Sequence, residues 1–123
     1  TTKFKVYIPD GFINSNSNSI IGDFTSSAIS HLNCDLVILS TAGFDIDTGF
    51  TEATIEASKI KRNMIKRSTK RILLIDSSKF GKKYLSNTCD IQDIDILITD
   101  KKPEQKYLDY LSQFDLEVII CEK

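Results

Sequence analysis

One segment of the chain has the composition of a phosphate-binding loop. Residues 76–81 carry two serines and Lys79 directly after a run of four apolar residues. A lysine ammonium amid hydroxyl groups is well suited to hold a phosphate as a point charge. A serine-rich turn with a solvated lysine would give the same composition. The segment therefore predicts a phosphate contact at Lys79, with the plain turn as the alternative.

A second polar segment lies near the start of the sequence. Asp10 and Gly11 precede alternating asparagines and serines that end at Ser19, where a helical pattern begins. Gly11 can adopt backbone angles that let a ligand approach closely. A helix that starts near Ser19 would present unpaired amides and a positive dipole end, which favour phosphate or carboxylate. The alternative is a flexible polar linker with Ser19 as an ordinary N-cap.

A third segment, residues 40–51, places two aspartates between glycines. Asp45 can accept hydrogen bonds from sugar hydroxyls, and Thr51 is expected to cap the helix that follows. Asp45 and Asp47 can equally form Asx-turns, with Gly49 in a tight bend. Both interpretations stay open at this point.

Two charged residues flank the apolar stripe of the predicted second helix. Glu56 borders the stripe on one side and Lys61 on the other. Their spacing of five residues makes them poor partners for each other, since helical pairs form at spacings of three or four. They either reach into a cleft or are simply solvated.

Five short apolar runs alternate with amphipathic stretches along the chain. The runs span residues 6–8, 36–39, 72–75, 94–98 and 117–120. Several are continuous and rich in β-branched residues, a pattern typical of strands that are covered on both faces. Helical periodicity appears around residues 21–32, 53–64 and 108–114. The alternation predicts an α/β fold: a mostly parallel sheet with flanking helices and right-handed crossovers.

Parallel sheets bind ligands beyond the carboxyl ends of their strands. The three polar segments above follow the first three predicted strands, and Thr99 and Asp100 follow the fourth. All four are therefore expected at one rim of the sheet. This convergence predicts a binding site there.

Composition narrows the class of protein. The chain has 123 residues, 16 basic and 17 acidic side chains, and three cysteines. The lack of a basic excess argues against DNA binding by these residues themselves, because phosphate contacts dominate that affinity. No apolar run is long enough for a membrane span. The cysteines form no CxxC, so neither a zinc site nor a disulfide framework is indicated, and a reducing cytoplasm fits best. No catalytic triad or nucleotide-binding glycine motif is recognisable, so no cofactor is predicted.

Taken in order, these segments resemble the C-terminal effector-binding domain of DeoR-type bacterial transcriptional repressors. The resemblance is carried by residues 43–51, 56–65, 74–81 and 94–100. Its most specific part is the sequence DSSKFG followed by IDILITD.

The resemblance implies a fold similar to ribose-5-phosphate isomerase, glucosamine-6-phosphate deaminase and CoA transferases. It also implies a non-enzymatic domain, here residues 1–123, that binds a phosphorylated sugar or polyol phosphate. DNA would be contacted only by a separate N-terminal winged helix-turn-helix that this chain lacks, and the protein would form a homo-oligomer. Two alternatives remain: a sugar-phosphate isomerase-like or deaminase-like enzyme with Glu56 as general base, and a domain used only for protein association.

Residue by residue, the resemblance and the loops give one set of predicted ligand-binding positions. They are Asp10, Gly11, Ser19, Asp45, Gly49, Thr51, Glu56, Lys61 and Lys79. The family commonly has two adjacent glycines where Asp10 and Gly11 stand here, and a glycine at Ser40. Asp10 places a negative charge near a proposed anion site, so the first loop is where this chain is expected to differ from its relatives.

Overall fold

The computed structural model describes residues 3–122. Its three α-helices are α1 (Asp23–Ser30), α2 (Ile55–Lys66) and α3 (Gln105–Leu111). Its strands are β1 (Phe12–Asn14), β2 (Ser19–Ile21), β3 (Cys34–Leu39), β4 (Gly43–Asp45), β5 (Gly49–Glu52), β6 (Ser68–Leu74), β7 (Ser86–Cys89), β8 (Ile96–Thr99) and β9 (Glu117–Ile120). Single turns of 3-10 helix cover Ser77–Lys79 and Ile91–Asp93.

The centre of the fold is a parallel four-stranded sheet. Its strand order is β3-β6-β8-β9, and each adjacent pair runs parallel. These four strands correspond to the second to fifth apolar runs, so the prediction of a mostly parallel α/β sheet is confirmed. One face is closely packed: Leu39, Leu73 and Leu97 lie side by side and are at most 6% exposed.

A smaller antiparallel sheet, β4-β5-β7, contributes to the same core. Phe44 and Phe50 are fully buried, and their ring centroids lie 4.8 Å apart. Residues 40–51 were expected to form a loop after the second predicted strand, whereas most of them form the β4–β5 hairpin. Glycine and aspartate are poor strand formers in isolation, and here the two buried phenylalanines hold the pairing.

Helix α2 connects β5 to β6 on the packed side of the parallel sheet. Its N-cap is Thr54, whose hydroxyl accepts the Ala57 N–H at 3.2 Å. The prediction that Thr51 caps this helix is wrong. Thr51 lies in β5, is fully buried, and its hydroxyl oxygen accepts the Tyr84 N–H at 3.0 Å. Helix α3 packs against the same face of the parallel sheet through Tyr107 and Leu111.

The N-terminal region differs most from the expectation. Residues 6–8 form no strand, since no described segment pairs with them, and their side chains are 74–85% exposed. The chain instead forms the β1–β2 hairpin, in which Asn14 pairs with Ser19. Helix α1 starts at Asp23, with Gly22 as N-cap, so Ser19 caps no helix.

The buried face of α1 also differs from the predicted one. The apolar periodicity around residues 21–32 includes Phe24, yet this side chain is 78% exposed, whereas Thr25 and Ser26 are buried. The Ser26 hydroxyl oxygen accepts a hydrogen bond from the Asn63 side-chain amide of α2 at 2.6 Å. Polar contacts to α2 therefore orient this helix, which hydrophobic periodicity does not capture. Across residues 3–122, no helix has the length and apolar character needed to cross a membrane.

Candidate functional site

A cleft of about 370 Å³ opens at the carboxyl ends of β3 and β6. This is the rim at which parallel sheets bind ligands. The backbone of residues 40–42 forms one wall, and Asp76 and Lys79 follow β6 on the opposite wall. Glu52 from β5 and Lys61 from α2 line the remaining side. The sheet and one helix thus bring two lysines and two carboxylates into one cleft.

Lys61 is held in place by two acceptors. Its ammonium group donates to the Ser40 carbonyl oxygen and to Glu52 Oε1. The ion pair is largely shielded from solvent, since the side chains of Lys61 and Glu52 are 25% and 10% exposed. Shielding strengthens the attraction but also makes either charge costly to leave unpaired. The pair fixes the Lys61 ammonium at the cleft wall and neutralises its charge.

Lys79 ends the 3-10 turn that follows β6. The turn is shaped by Asp76, whose carboxylate accepts the Ser78 N–H at 2.8 Å while its carbonyl oxygen accepts the Lys79 N–H at 2.9 Å. Lys79 forms no ion pair with any residue in the described range 3–122. It is therefore a half-buried cation at the cleft without a carboxylate partner.

Asp100 ties this turn to the neighbouring strand β8. Its Oδ1 accepts the Ser77 N–H at 2.7 Å, and this hydrogen bond lowers the pKa of the Asp100 carboxyl. A carboxylate that accepts backbone N–H groups is stabilised in its charged form. Asp100 thus positions the turn that carries Lys79.

A second compartment, of about 590 Å³, lies between the β1–β2 hairpin and α2. Its hairpin side offers amides and hydroxyls from Asn14, Asn16, Ser17 and Ser19. Its helix side includes Glu56 and the less polar Ala57, Ile60 and Met64. Lys61 and Glu52 line both compartments, so their ion pair forms the shared wall.

Four of the predicted site residues line these compartments. Lys61 and Lys79 lie in the first, and Ser19, Glu56 and Lys61 lie in the second. The helix prediction that placed Ser19 was wrong, yet the hairpin brings this residue to the cleft.

The other predicted positions contribute to the fold outside these two compartments. The Asp45 carboxylate accepts the Asp47 N–H at 3.1 Å, which is the Asx-turn alternative. Gly49 has φ +79° and faces Asp90, whose Oδ1 would lie 2.8 Å from an added Cβ. Gly49 is therefore explained by a tight bend and close packing.

Asp10 and Gly11 precede β1 and pack against Thr25 of α1. The Asp10 carbonyl oxygen accepts the Thr25 hydroxyl at 2.6 Å. A Cβ at Gly11, which has φ +151°, would lie 1.9 Å from the Thr25 hydroxyl oxygen. Close backbone packing explains this glycine, and neither residue lines either compartment.

Sequence reasoning missed Glu52 as a residue lining the cleft, and it indicated Asn14 and Asn16 only as part of one polar segment. Glu52 precedes α2 in an unrecognised strand, and only the β5 pairing turns it toward Lys61. Asn14 and Asn16 lay within a segment interpreted as one loop. A hairpin prediction for residues 12–21 would have indicated which of its side chains share a face.

Cys89, in β7, is a poor nucleophile. Burial, reinforced by the carboxylates of Asp93 and Asp90, raises the pKa of its thiol to about 12. The thiol therefore stays protonated at neutral pH, and thiolate chemistry requires the deprotonated form.

The family match and the similar curated proteins point to the same family. The family described as the DeoR C-terminal sensor domain matches residues 1–101. The chain is 29% identical over 118 residues to the glycerol-3-phosphate regulon repressor of Escherichia coli (strain K12), covering 96% of the chain and 47% of the repressor. It is 29% identical over 117 residues to the HTH-type transcriptional regulator GolR of Listeria innocua, covering 95% and 46%. It is 27% identical over 119 residues to the HTH-type transcriptional repressor GlcR of Bacillus subtilis, covering 97% and 46%.

The chain spans just under half the length of these curated relatives. All three are transcriptional regulators by name, and the matched family is a sensor domain. The family match covers most of the chain, including the strands and turns that build the cleft. The chain belongs to the DeoR C-terminal sensor domain family.

Proposed function

We propose that the cleft binds a phosphorylated sugar or polyol phosphate, with the phosphate at Lys79 and the hydroxyls toward the hairpin compartment. The observation that carries this proposal is the charge pattern of the two lysines. Lys61 is neutralised by Glu52, whereas Lys79 has no carboxylate partner among residues 3–122. A dianionic phosphate supplies the missing counter-charge, and a charge-assisted hydrogen bond to it is stronger than a neutral one.

The hairpin compartment suits the sugar part of such a ligand. The Asn16 N–H donates to Asn14 Oδ1 at 3.0 Å, and the Ser17 and Ser19 hydroxyls lie 2.5 Å apart. Hydroxyls and side-chain amides have more than one hydrogen-bonding site, so these contacts leave further donors and acceptors for ligand hydroxyls. The exposed Glu56 carboxylate adds acceptors on the helix side.

Within a longer protein, ligand binding to this domain regulates DNA binding by another domain. The matched relatives are named as repressors and regulators with roughly twice the length of this chain. We infer that DNA is contacted by a separate N-terminal winged helix-turn-helix and that the assembly is a homo-oligomer. The effector then changes DNA affinity only to the extent that it binds one conformational state more tightly than the other.

A thermal-shift screen tests the ligand class. The panel pairs glycerol 3-phosphate and hexose and pentose phosphates with their dephosphorylated counterparts. A ligand at one hundred times its dissociation constant adds about 2.7 kcal/mol to the free energy of unfolding, which gives a clear rise in Tm. We expect at least one phosphorylated compound to raise the Tm while its dephosphorylated partner does not. If no phosphorylated metabolite shifts the Tm, the proposal is contradicted and a domain used only for association is favoured.

An enzyme acting on the same ligands is the second candidate, because Glu56 and Lys61 line the same compartment. A carboxylate base and a nearby ammonium can together support proton transfer next to a carbonyl. The test is turnover of aldose and amino-sugar phosphates by purified protein. We expect none. Turnover that Glu56→Gln abolishes, with binding retained, would replace the sensor proposal.

A further inference from the structure

The four-stranded parallel sheet has one face that no described element covers. Side chains alternate along each strand, and those opposite the packed core remain accessible: Ile38 is 56% exposed, Leu74 42% and Ile119 37%. The strand register places Ile38 in one row with Ile72 and Ile96. Leu74, Ile98 and Ile119 form the next row. We call this surface the open face; it consists of Ile38, Ile72, Leu74, Ile96, Ile98 and Ile119.

The open face is aliphatic to its borders. Charged residues border it at the ends of the strands: Lys70 lies beside Leu36, Glu117 beside Ile96, and Asp76 and Asp100 beside Leu74 and Ile98. Parallel sheets in α/β proteins are normally covered on both faces, and the continuous aliphatic runs of this sequence are of that type. A contiguous apolar surface of this kind marks a contact site.

The direction of the chain explains why this face is open. The order β3-β6-β8-β9 follows the sequence, so every crossover moves the same way across the sheet. Right-handed crossovers that move in one direction put all their helices on one face. Consistent with this rule, α2 and α3 both pack on the core side through Ile65 and Leu111. Helices on the open face require a crossover in the opposite direction, between strands added beyond the free edge of β3.

The size of the open face distinguishes between two possible occupants. Its six aliphatic side chains are at most 56% exposed, so together they leave roughly 400 Å² of accessible surface per chain, against about 800 Å² per partner in a standard stable interface. Face-to-face packing of two copies would therefore be weak, because association also costs translational and rotational freedom. A segment of the same polypeptide avoids that cost. The matched relatives contain more than 100 further residues by their coverage of 47% and 46%, which is ample for such a segment.

We propose that the open face is a docking surface for a strand–helix–strand segment of a longer polypeptide that contains these 123 residues. Its strands extend the sheet from the free edge of β3, and its helix packs on Ile38 and its row. The direction in which successive strands are added to the sheet then reverses at β3. Ligands of open α/β sheets bind at such a reversal point, and Ser40 at the end of β3 already lines the cleft.

Thiol labelling of the complete gene product tests this proposal. The background carries Cys34→Ser and Cys121→Ser, and the probes are Ile38→Cys on the open face and Leu85→Cys, which replaces a side chain that is 77% exposed elsewhere. Maleimide reaction rates in native buffer are compared with rates in urea. We expect Ile38→Cys to be protected by about a hundredfold or more at every protein concentration, and Leu85→Cys by less than about tenfold. Ile98→Cys serves as a second probe if Ile38→Cys perturbs folding by circular dichroism.

Three results would overturn the proposal. Equal labelling of Ile38→Cys and Leu85→Cys in the native gene product would show an uncovered face. Protection that fades on dilution would indicate a second copy as the occupant. A natural gene product that consists of these 123 residues alone would exclude an intramolecular cover. In the residues 1–123 fragment, by contrast, we expect Ile38→Cys to label about as fast as Leu85→Cys.

Discussion

Replacing Glu52 by glutamine should weaken the fold and strengthen phosphate binding at the same time. The change keeps the size of the side chain but removes the charge that neutralises Lys61. Because both residues line the two compartments, one substitution perturbs the stability of the wall and the electrostatics of the cleft.

The stability cost follows from the shielding of the pair. Removing one partner of a fully buried ion pair costs about 3–5 kcal/mol, whereas exposed pairs contribute about 0.2–1 kcal/mol. With exposed fractions of 10% for Glu52 and 25% for Lys61, this pair lies between the two limits. We expect Glu52→Gln to lower the free energy of unfolding by about 1–3 kcal/mol, since the Ser40 carbonyl still accepts from Lys61.

The effect on binding has the opposite sign. A carboxylate about 4–8 Å from a bound dianionic phosphate opposes it by about 1–2 kcal/mol even at the dielectric constant of water. Its removal should therefore tighten a phosphorylated ligand by about five- to thirtyfold. Dephosphorylated analogues should not gain affinity.

Urea denaturation and isothermal titration calorimetry measure the two effects. The matched control is Glu104→Gln, because Glu104 pairs with Lys106 at 3.9 Å with both side chains more than 60% exposed; it should change neither quantity. A double-mutant cycle with Lys61→Met isolates the pair energy. No stability loss and no coupling would refute the shielded ion pair, and weaker phosphate binding in Glu52→Gln would refute the charge argument.

Three further predictions concern the scaffold. Leu97→Ala should lower the free energy of unfolding by about 2–5 kcal/mol in urea titrations, because Leu97 is 1% exposed. Leu85→Ala, at a residue that is 77% exposed, should leave it unchanged, and equal effects would contradict the core assignment. Thr54→Ala should cost about 1 kcal/mol by the same assay and Thr54→Ser much less, since the hydroxyl caps α2; equal losses would show that the methyl group matters instead. Iodoacetamide at pH 8 should alkylate the exposed Cys121 and leave Cys89 unmodified in native protein, because burial raises the pKa of the Cys89 thiol to about 12. Mass spectrometry measures the labelling, and rapid native alkylation of Cys89 would contradict the burial of its thiol.

The parallel sheet was predictable because its strands are encoded locally. The four apolar runs from Leu36 onward are rich in β-branched residues, and each maps onto a strand of the sheet. Residues 6–8 have the same local character but form no strand in the described structure. Local pattern gives the tendency to form a strand, whereas pairing depends on a partner that the pattern does not identify.

The site was only partly predictable, for a related reason. Lys79 was predicted because it follows a strand amid hydroxyl groups, and Lys61 because it flanks the apolar stripe of the second helix. Asp45, Gly49 and Gly11 were predicted from polar segments that follow strands, but turns and close packing account for them. Glu52 was missed, because its role depends on the β4–β5–β7 pairing rather than on its neighbours in sequence.

The binding role of Lys79 is tested most directly by calorimetry on Lys79→Ala. The ligands are the phosphorylated sugar that gives the largest thermal shift and its dephosphorylated counterpart, and the control is Lys83→Ala, an exposed lysine outside the cleft. Loss of a charge-assisted contact of about 1.5–3 kcal/mol predicts an affinity for the phosphorylated sugar that falls about 10- to 100-fold, with the dephosphorylated sugar unaffected and Lys83→Ala unchanged. An equal loss for both sugars, or no loss for either, would contradict phosphate binding by Lys79.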